Sequence, residues 1–154
     1  MIGTYAAPVQ RLLIGRIVAT IGAVVVVAGT FLPWLRSGTR ERSSYEIFSL
    51  VERLGYSRSD LVGWGLRLWP IVPLLLAGSV VLLWYPRRWI TGPVTVVAAV
   101  YAGGVAAAVS SASPVSIISV EYGATVALVG SVLLALGYLL TVRIPVRPES
   151  SVTK

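Results

Sequence analysis

Four long apolar runs are the feature of this sequence that most restricts its fold. They extend over residues 12–34, 66–85, 90–109 and 122–142. Each has the ~20 residues needed to cross a hydrocarbon core of roughly 30 Å. A chain in lipid must satisfy its backbone hydrogen bonds within each segment, as a helix does. The sequence therefore predicts an all-α integral membrane protein, a single domain over residues 1–154 with four transmembrane helices and a short tail at 143–154.

The composition agrees with a membrane location. Of the 154 residues, 56% are hydrophobic and 12% are charged, against about 25% charged residues in an ordinary soluble domain. The net charge of +7 would suggest nucleic-acid binding in a soluble protein, but the basic residues flank the apolar runs. That placement fits topology signals and anionic lipid headgroups better. We therefore expect membrane lipids as partners and no nucleic acid.

Two missing residue types exclude several chemistries. Without Cys the chain has no thiolate nucleophile and no iron–sulfur ligand, and without His it lacks the commonest general base. No acidic residue lies between Arg11 and Trp34, so the first run lacks the carboxylate on which proton-coupled exporters of the small multidrug-resistance type depend. We expect no catalytic residue, no metal site and no cofactor.

Glu121 is the acidic residue that lies beside a later run, at the outer end of the fourth. It has two interpretations: a partner for Arg36 or Arg67 at the membrane interface, or a role in transport. The tryptophans also lie near the ends of the runs, which favours an aromatic belt over a ligand site. These residues are Trp34, Trp64, Trp69, Trp84 and Trp89.

Positively charged residues near the ends of the runs predict the orientation. The side with both termini has Arg11, Arg16, Arg87, Arg88, Arg143, Arg147 and Lys154. The first loop has Arg36, Arg40, Arg42, Arg53, Arg58 and Arg67. The first group lies in very short segments next to the spans, whereas several of the second lie deeper in a long loop. Both termini are therefore predicted to be cytoplasmic, with the chain in the inner (plasma) membrane and the first loop facing outward.

The first loop contains a helix signal. Ser43-Ser-Tyr-Glu46 matches a capping box, in which the Ser43 hydroxyl accepts from the Glu46 amide and the Glu46 side chain accepts from the Ser43 amide. At 100° per residue, the apolar residues that follow fall in one sector: Ile47, Phe48, Leu50, Val51 and Leu54. The pattern predicts an amphipathic helix over about 43–54, too short to span a bilayer.

The apolar face of this helix has two interpretations. It lies at the lipid boundary or on its own bundle, or it forms a docking surface for a partner protein. The run from Arg36 to Arg42 offers charges of both signs, which suits a protein surface better than an anionic lipid. The candidate partner interface consists of Trp34, Arg36, Arg40, Arg42, Tyr45, Ile47, Phe48, Val51 and Leu54.

Small residues recur every fourth position on the third and fourth runs. Such rows allow two helices to approach closely in lipid, and we expect them to join these two runs or to receive a helix of another protein. The third run has one row at Ala98, Ala102 and Ala106 and a second at Ala99, Gly103 and Ala107. The fourth run has Gly123, Ala127 and Ser131, followed by Ala135. The candidate helix-packing residues are Ala99, Gly103, Ala107, Gly123, Ala127 and Ser131.

The loop from Phe31 to Gly55, which begins Phe-Leu-Pro-Trp-Leu-Arg-Ser-Gly, and the runs rich in Val, Ala, Gly and Arg resemble small four-helix membrane proteins of mycobacteria and related actinobacteria. Within that group the chain is most similar to the lipid-uptake-coordinator accessory subunits of the mycobacterial Mce lipid importers. The resemblance implies a non-enzymatic subunit that binds the permease subunits of an ABC-type complex, in which a separate ATPase powers lipid import.

Two other classes of function are also compatible with the sequence. A small stand-alone transporter or channel would move a solute through the bilayer without partners. A stress-linked membrane regulator would act through the outward-facing loop helix.

Overall fold

The computed structural model describes residues 6–53, 67–85, 88–111 and 118–142. Helix dominates this part of the chain. The helices are α1 (Ala6–Phe31), α2 (Ser44–Arg53), α3 (Val72–Trp84, after a 3-10 turn at Trp69–Ile71), α4 (Arg88–Ser111) and α5 (Tyr122–Thr141). The strands are β1 (Pro33–Ser37), β2 (Arg40–Ser43) and β3 (Ile118–Val120). The predicted tail at 143–154 lies outside the described residues, as do Leu54 and Trp64.

Three helices in the described part of the chain are long and apolar enough to cross a membrane. They are Gln10–Phe31, Ile90–Ser111 and Tyr122–Thr141, which agree closely with three of the four predicted runs. The second predicted run corresponds to a shorter apolar helix, Trp69–Trp84. Pro70 and Pro73 lie in its first turns, where a missing amide proton costs least. The chain is thus compatible with a multi-pass membrane protein.

The contact between α1 and α5 is the most extensive in the bundle. Glycines repeat every seven residues on both helices, at Gly15, Gly22 and Gly29 and at Gly123, Gly130 and Gly137. Gly15 faces Gly137, Gly22 faces Gly130, and Gly29 faces Ala127, so the two helices run antiparallel. A Cβ added at Gly130 would lie 2.6 Å from the Val26 amide nitrogen. The absence of side chains therefore lets the two backbones touch.

The remaining helices complete a bundle in which α4 packs on α5 and α3 packs on α4. The α4 row that faces the interior is Ala98, Ala102 and Ala106, all of which are buried. Helix α3 also contacts α1. At one end the Trp84 Nε1 donates to the Thr20 hydroxyl at 3.3 Å, and the Arg16 guanidinium lies 5.8 Å from the centre of the Trp84 ring.

A three-stranded antiparallel sheet, in the order β2-β1-β3, covers one end of the bundle. Nothing in the pattern of apolar runs predicts this sheet, and β2 consists of charged and polar residues. Strands β1 and β2 form a hairpin whose two-residue loop begins at Gly38, with φ of +61°. Glycine adopts this left-handed conformation without steric cost, as hairpin turns of this length require.

Helix α1 ends at Phe31, three residues before the predicted limit of the first run. Proline disfavours helical conformation in the residue before it and has no amide proton to donate. Pro33 therefore turns the chain out of the helix, and Trp34 belongs to β1 instead.

The glycine contact leads to the first prediction. Gly130→Ala places a methyl group against the α1 backbone and should lower the free energy of unfolding by about 2 kcal/mol, because the two helices must separate. Gly104→Ala is the matched control, since a Cβ there meets no atom within 4 Å and alanine favours helix. Thermal unfolding in detergent measures both variants. Equal stability of the two would contradict backbone contact between α1 and α5.

A second prediction concerns Thr95, whose hydroxyl is buried in α4 without a hydrogen-bond partner among the described residues. Thr95→Val keeps the shape of the side chain and removes the unsatisfied hydroxyl. The free energy of unfolding should therefore increase by about 1 kcal/mol, which a higher unfolding temperature would show. Thr30→Val is the control, because the equally buried Thr30 hydroxyl donates to the Val27 carbonyl at 2.7 Å. That variant should be destabilised. A loss of stability in Thr95→Val would show that its hydroxyl has a partner.

Candidate partner interface

The candidate interface lies on a cap formed by the sheet and α2 at one end of the bundle. Strand β1 follows α1 after a single residue, and its pairing with β2 is irregular between Pro33 and Leu35. Trp34 lies at this irregularity and its side chain is completely buried. Its Nε1 donates to the Gly29 carbonyl at 2.7 Å. The sheet is thereby held directly against the end of α1.

Ser44, the first residue of α2, connects three segments of the chain. Its hydroxyl donates to the Thr30 carbonyl at 2.7 Å and accepts from the Trp69 Nε1 at 3.0 Å. Both bonds are buried, where an unpaired polar group is costly. One hydroxyl group thus joins the end of α1, the start of α2 and the turn before α3. The predicted helix start at Ser43 lies within one residue of the observed one.

Aromatic rings fill the space between the cap and the bundle. Trp69 is at the centre, with its ring centroid 5.3 Å from Trp34, 5.0 Å from Phe48 and 5.9 Å from Tyr101. The first two pairs are edge-on, a favourable arrangement for aromatic quadrupoles. Trp34 and Trp69 are 0% and 1% exposed, so their assignment to a lipid-facing aromatic belt is wrong. Trp84 is 48% exposed and fits a belt, whereas the side chain of Trp89 lies outside the described part of the structure.

The described part of the apolar face of α2 packs on its own bundle. Tyr45, Ile47 and Phe48 are partly buried against the hydrophobic core. Leu50 remains 40% exposed. Val51 belongs to α2, whereas Leu54 lies outside the described residues.

The charged residues of the candidate interface divide between the two faces of the hairpin. Side chains alternate along a strand, so Arg40 and Arg42 share one face. Arg36 is opposite Glu41 in the register and lies on the other face. Arg36 and Arg40 are exposed and Arg42 is half-buried. The surface open to a partner is therefore formed by these cations, while the completely buried Trp34 contributes no side-chain surface and is removed from the predicted set.

The predicted helix-packing rows contact several elements rather than one. Gly103 faces Ser131, with an added Cβ at 3.1 Å from the Ser131 Cβ, so these two residues do join α4 to α5. Ala127, however, faces Gly29 of α1, and Gly123 faces the Pro33 carbonyl and the Trp34 ring. Ala99 is buried and Ala107 is exposed. The α5 row therefore contacts α4 at Ser131, α1 at Ala127 and β1 at Gly123.

Glu121 immediately precedes α5, at the junction with β3. Its backbone N–H donates to the Trp34 carbonyl at 2.9 Å, and its carboxylate accepts a long bond of 3.5 Å from the Ser119 hydroxyl. The residue thus connects the sheet to the bundle through its backbone and lies at the end of a helix, as the sequence predicts.

A groove of about 590 Å³ runs between α1 and α3. The two helices are joined at one end through Ser44 and at the other through Trp84 and Thr20, but they leave space between these contacts. The groove is lined by Thr20, Ala23, Val24, Val27, Ala28, Pro73, Leu76, Ala77, Val80 and Val81. Apart from the Thr20 hydroxyl, these side chains are apolar.

The Ser44 connection leads to a third prediction. Ser44→Ala leaves the Trp69 Nε1 and the Thr30 carbonyl without this partner and should lower the free energy of unfolding by about 1–3 kcal/mol. Ser49→Ala is the control: Ser49 is exposed and its hydroxyl donates only to the Glu46 carbonyl of the same helix, so its effect should stay within about 0.5 kcal/mol. Tryptophan fluorescence during thermal unfolding reports both. Wild-type stability of Ser44→Ala would refute its connecting role.

Comparison with known proteins adds no relative to this description. No protein-family model, no curated protein and no solved structure matches the chain. The likeness to Mce accessory subunits therefore has no support beyond the residues of the first loop and the composition of the apolar runs.

Proposed function

We propose that this protein is a non-enzymatic accessory subunit of an inner-membrane lipid-import complex of the Mce type. In this proposal α3 also crosses the membrane, which gives four spans. Both termini are cytoplasmic, and the cap of sheet and α2 faces outward. The chain binds permease subunits of an ABC-type importer through its membrane helices and its first loop.

The observation that carries the proposal is the apolar groove between α1 and α3. In lipid, helices associate through close packing, for which small residues on one surface are most suitable. Ala23, Ala28 and Ala77 line this groove, which lies between the Ser44 and Trp84 connections of the two helices. We take a transmembrane helix of a permease subunit as the occupant, because its apolar side chains would fill an apolar groove in which three alanines leave room for them.

The cap supplies a second contact in this proposal. Arg36 and Glu41 are paired across the hairpin, and Arg36 and Arg40 are exposed. Fixed charges of both signs on a rigid hairpin favour recognition of a complementary protein surface and set the orientation of the bound partner.

Co-purification from native membranes gives the fourth prediction. Wild-type protein should be recovered together with a permease and an ATPase. The double variant Ala28→Phe/Ala77→Phe fills the groove and should reduce recovered permease about tenfold, which corresponds to a loss of about 1.4 kcal/mol in binding.

The matched control is Val100→Phe/Val132→Phe, which adds aromatic rings at two exposed positions outside the groove, on α4 and α5. This variant should retain the permease. Recovery of the wild-type chain alone would refute the proposed complex, and equal loss in both double variants would refute the groove as the binding surface. Solute flux through liposomes that contain only this chain would instead favour a stand-alone transporter, particularly if the flux requires Glu121.

A further inference from the structure

A second cavity lies between the hairpin and α2. Unlike the apolar groove, it is lined mainly by charged side chains. Its volume is about 220 Å³, and it is lined by Arg40, Arg42, Glu46, Ser49, Leu50 and Arg53. Three guanidinium groups and one carboxylate give the lining a formal charge of +2. Guanidinium groups bind phosphate oxygens in planar, often bidentate geometry. The lining therefore favours an anion of the phosphate class over a neutral or cationic ligand.

The position of this basic pocket relative to the apolar layer follows from the Ser44 connection. The Ser44 hydroxyl bonds the carbonyl of Thr30, in the last turn of α1, so the start of α2 lies level with the end of a membrane-length helix. Arg42 and Glu46 are each two residues from Ser44. Two residues span at most about 7 Å, so the backbone of both residues lies within about one headgroup layer of the level at which α1 ends.

Apolar and aromatic side chains near the pocket also fit a lipid surface. Leu50 lines the pocket and is 40% exposed. At the same end of the bundle, Phe31 and Tyr122 are 63% and 56% exposed, and exposed aromatic rings are typical of the membrane interface. A ligand with a phosphate group attached to an apolar tail would contact the arginines and Leu50 together.

We propose that the basic pocket binds the phosphate group of an anionic phospholipid from the adjacent membrane surface. Arg40, Arg42 and Arg53 contact the phosphate oxygens, and Leu50 contacts the apolar part of the same molecule. This site uses the face of the hairpin opposite to Arg36. It shares Arg40 with the cap contact proposed above, but none of its lining residues belongs to the groove between α1 and α3.

Native mass spectrometry of the full chain in neutral detergent tests the site, with phosphatidylglycerol and phosphatidylcholine as probes. The wild type should bind phosphatidylglycerol more tightly than phosphatidylcholine. Arg40→Gln/Arg53→Gln should weaken that binding about tenfold or more, because two charge-assisted contacts are lost. Glu46→Gln should strengthen it about threefold, the effect of removing one negative charge at roughly 6 Å in water.

The matched control is Arg11→Gln/Arg36→Gln, which removes the same charge from two exposed positions outside the pocket and should change binding less than twofold. Circular dichroism checks that every variant is folded. Equal weakening by both double variants would overturn the proposal, because it would indicate general charge attraction. Unchanged binding in Arg40→Gln/Arg53→Gln would also overturn it.

Calorimetric titration with inorganic phosphate distinguishes the source of the phosphate group. If the site recognises a lipid, phosphate at millimolar concentration should bind weakly or not at all, while phosphatidylglycerol binds and phosphatidylcholine does not. Tight phosphate binding that is lost in Arg40→Gln/Arg53→Gln, without a preference for phosphatidylglycerol, would overturn the lipid source.

Discussion

The fold depends on backbone contact between α1 and α5. In lipid the surroundings of a helix are as apolar as its own side chains, so burial of apolar surface gives little driving force and close packing must supply it. The seven-residue repeat at Gly22 and Gly29, and at Gly130 and Gly137, removes the side chains that would keep the helices apart. With α1 fixed against α5, the end of α1 has a defined position. The sheet, α2 and the aromatic rings all build on that end.

The cap uses a different kind of interaction from the bundle below it. Here specific hydrogen bonds of buried groups define the geometry: Trp34 to Gly29, Trp69 to Ser44, and Ser44 to Thr30. Each bond joins residues that are separated in the sequence, and each satisfies a polar atom that burial would otherwise penalise. The charged surfaces proposed to bind a permease and a phospholipid therefore belong to the cap, and hydrogen bonds fix the position of the cap on the helices of the bundle.

The long helices were predictable because a segment that crosses a bilayer needs ~20 consecutive apolar residues, and such runs are visible in the sequence. The hairpin was harder to predict, because Arg40-Glu-Arg-Ser43 has no alternation of apolar and polar residues, and Gly38 was the one local signal of a tight turn. The helix-packing residues of α5 contact α1 and β1 as well as α4. The prediction used the spacing of four that includes Ala127 and Ser131. The glycine spacing of seven that α1 and α5 share is also present in the sequence, and it identifies these two helices as the pair in closest contact.

The tryptophans show why part of the candidate interface could not be found from sequence. A Trp at the end of an apolar run fits the membrane interface by its amphipathic character, and nothing near Trp34 or Trp69 in the chain predicts burial. Their hydrogen-bond acceptors come from other segments: Gly29 lies a turn earlier in α1, and Ser44 lies 25 residues before Trp69. Only the assembled cap reveals these partners, and it moves Trp34 from the exposed interface to the interior.

The pairing of α1 with α5 also has a consequence for biosynthesis. Among the described helices these are the first and the last to leave the ribosome, and domains fold as their parts are synthesised. In a membrane, the glycine face of α1 would therefore contact lipid until α5 has been synthesised. The tightest contact of the molecule forms last. A chain interrupted before Tyr122 would leave the glycine face of α1 without the helix that covers it.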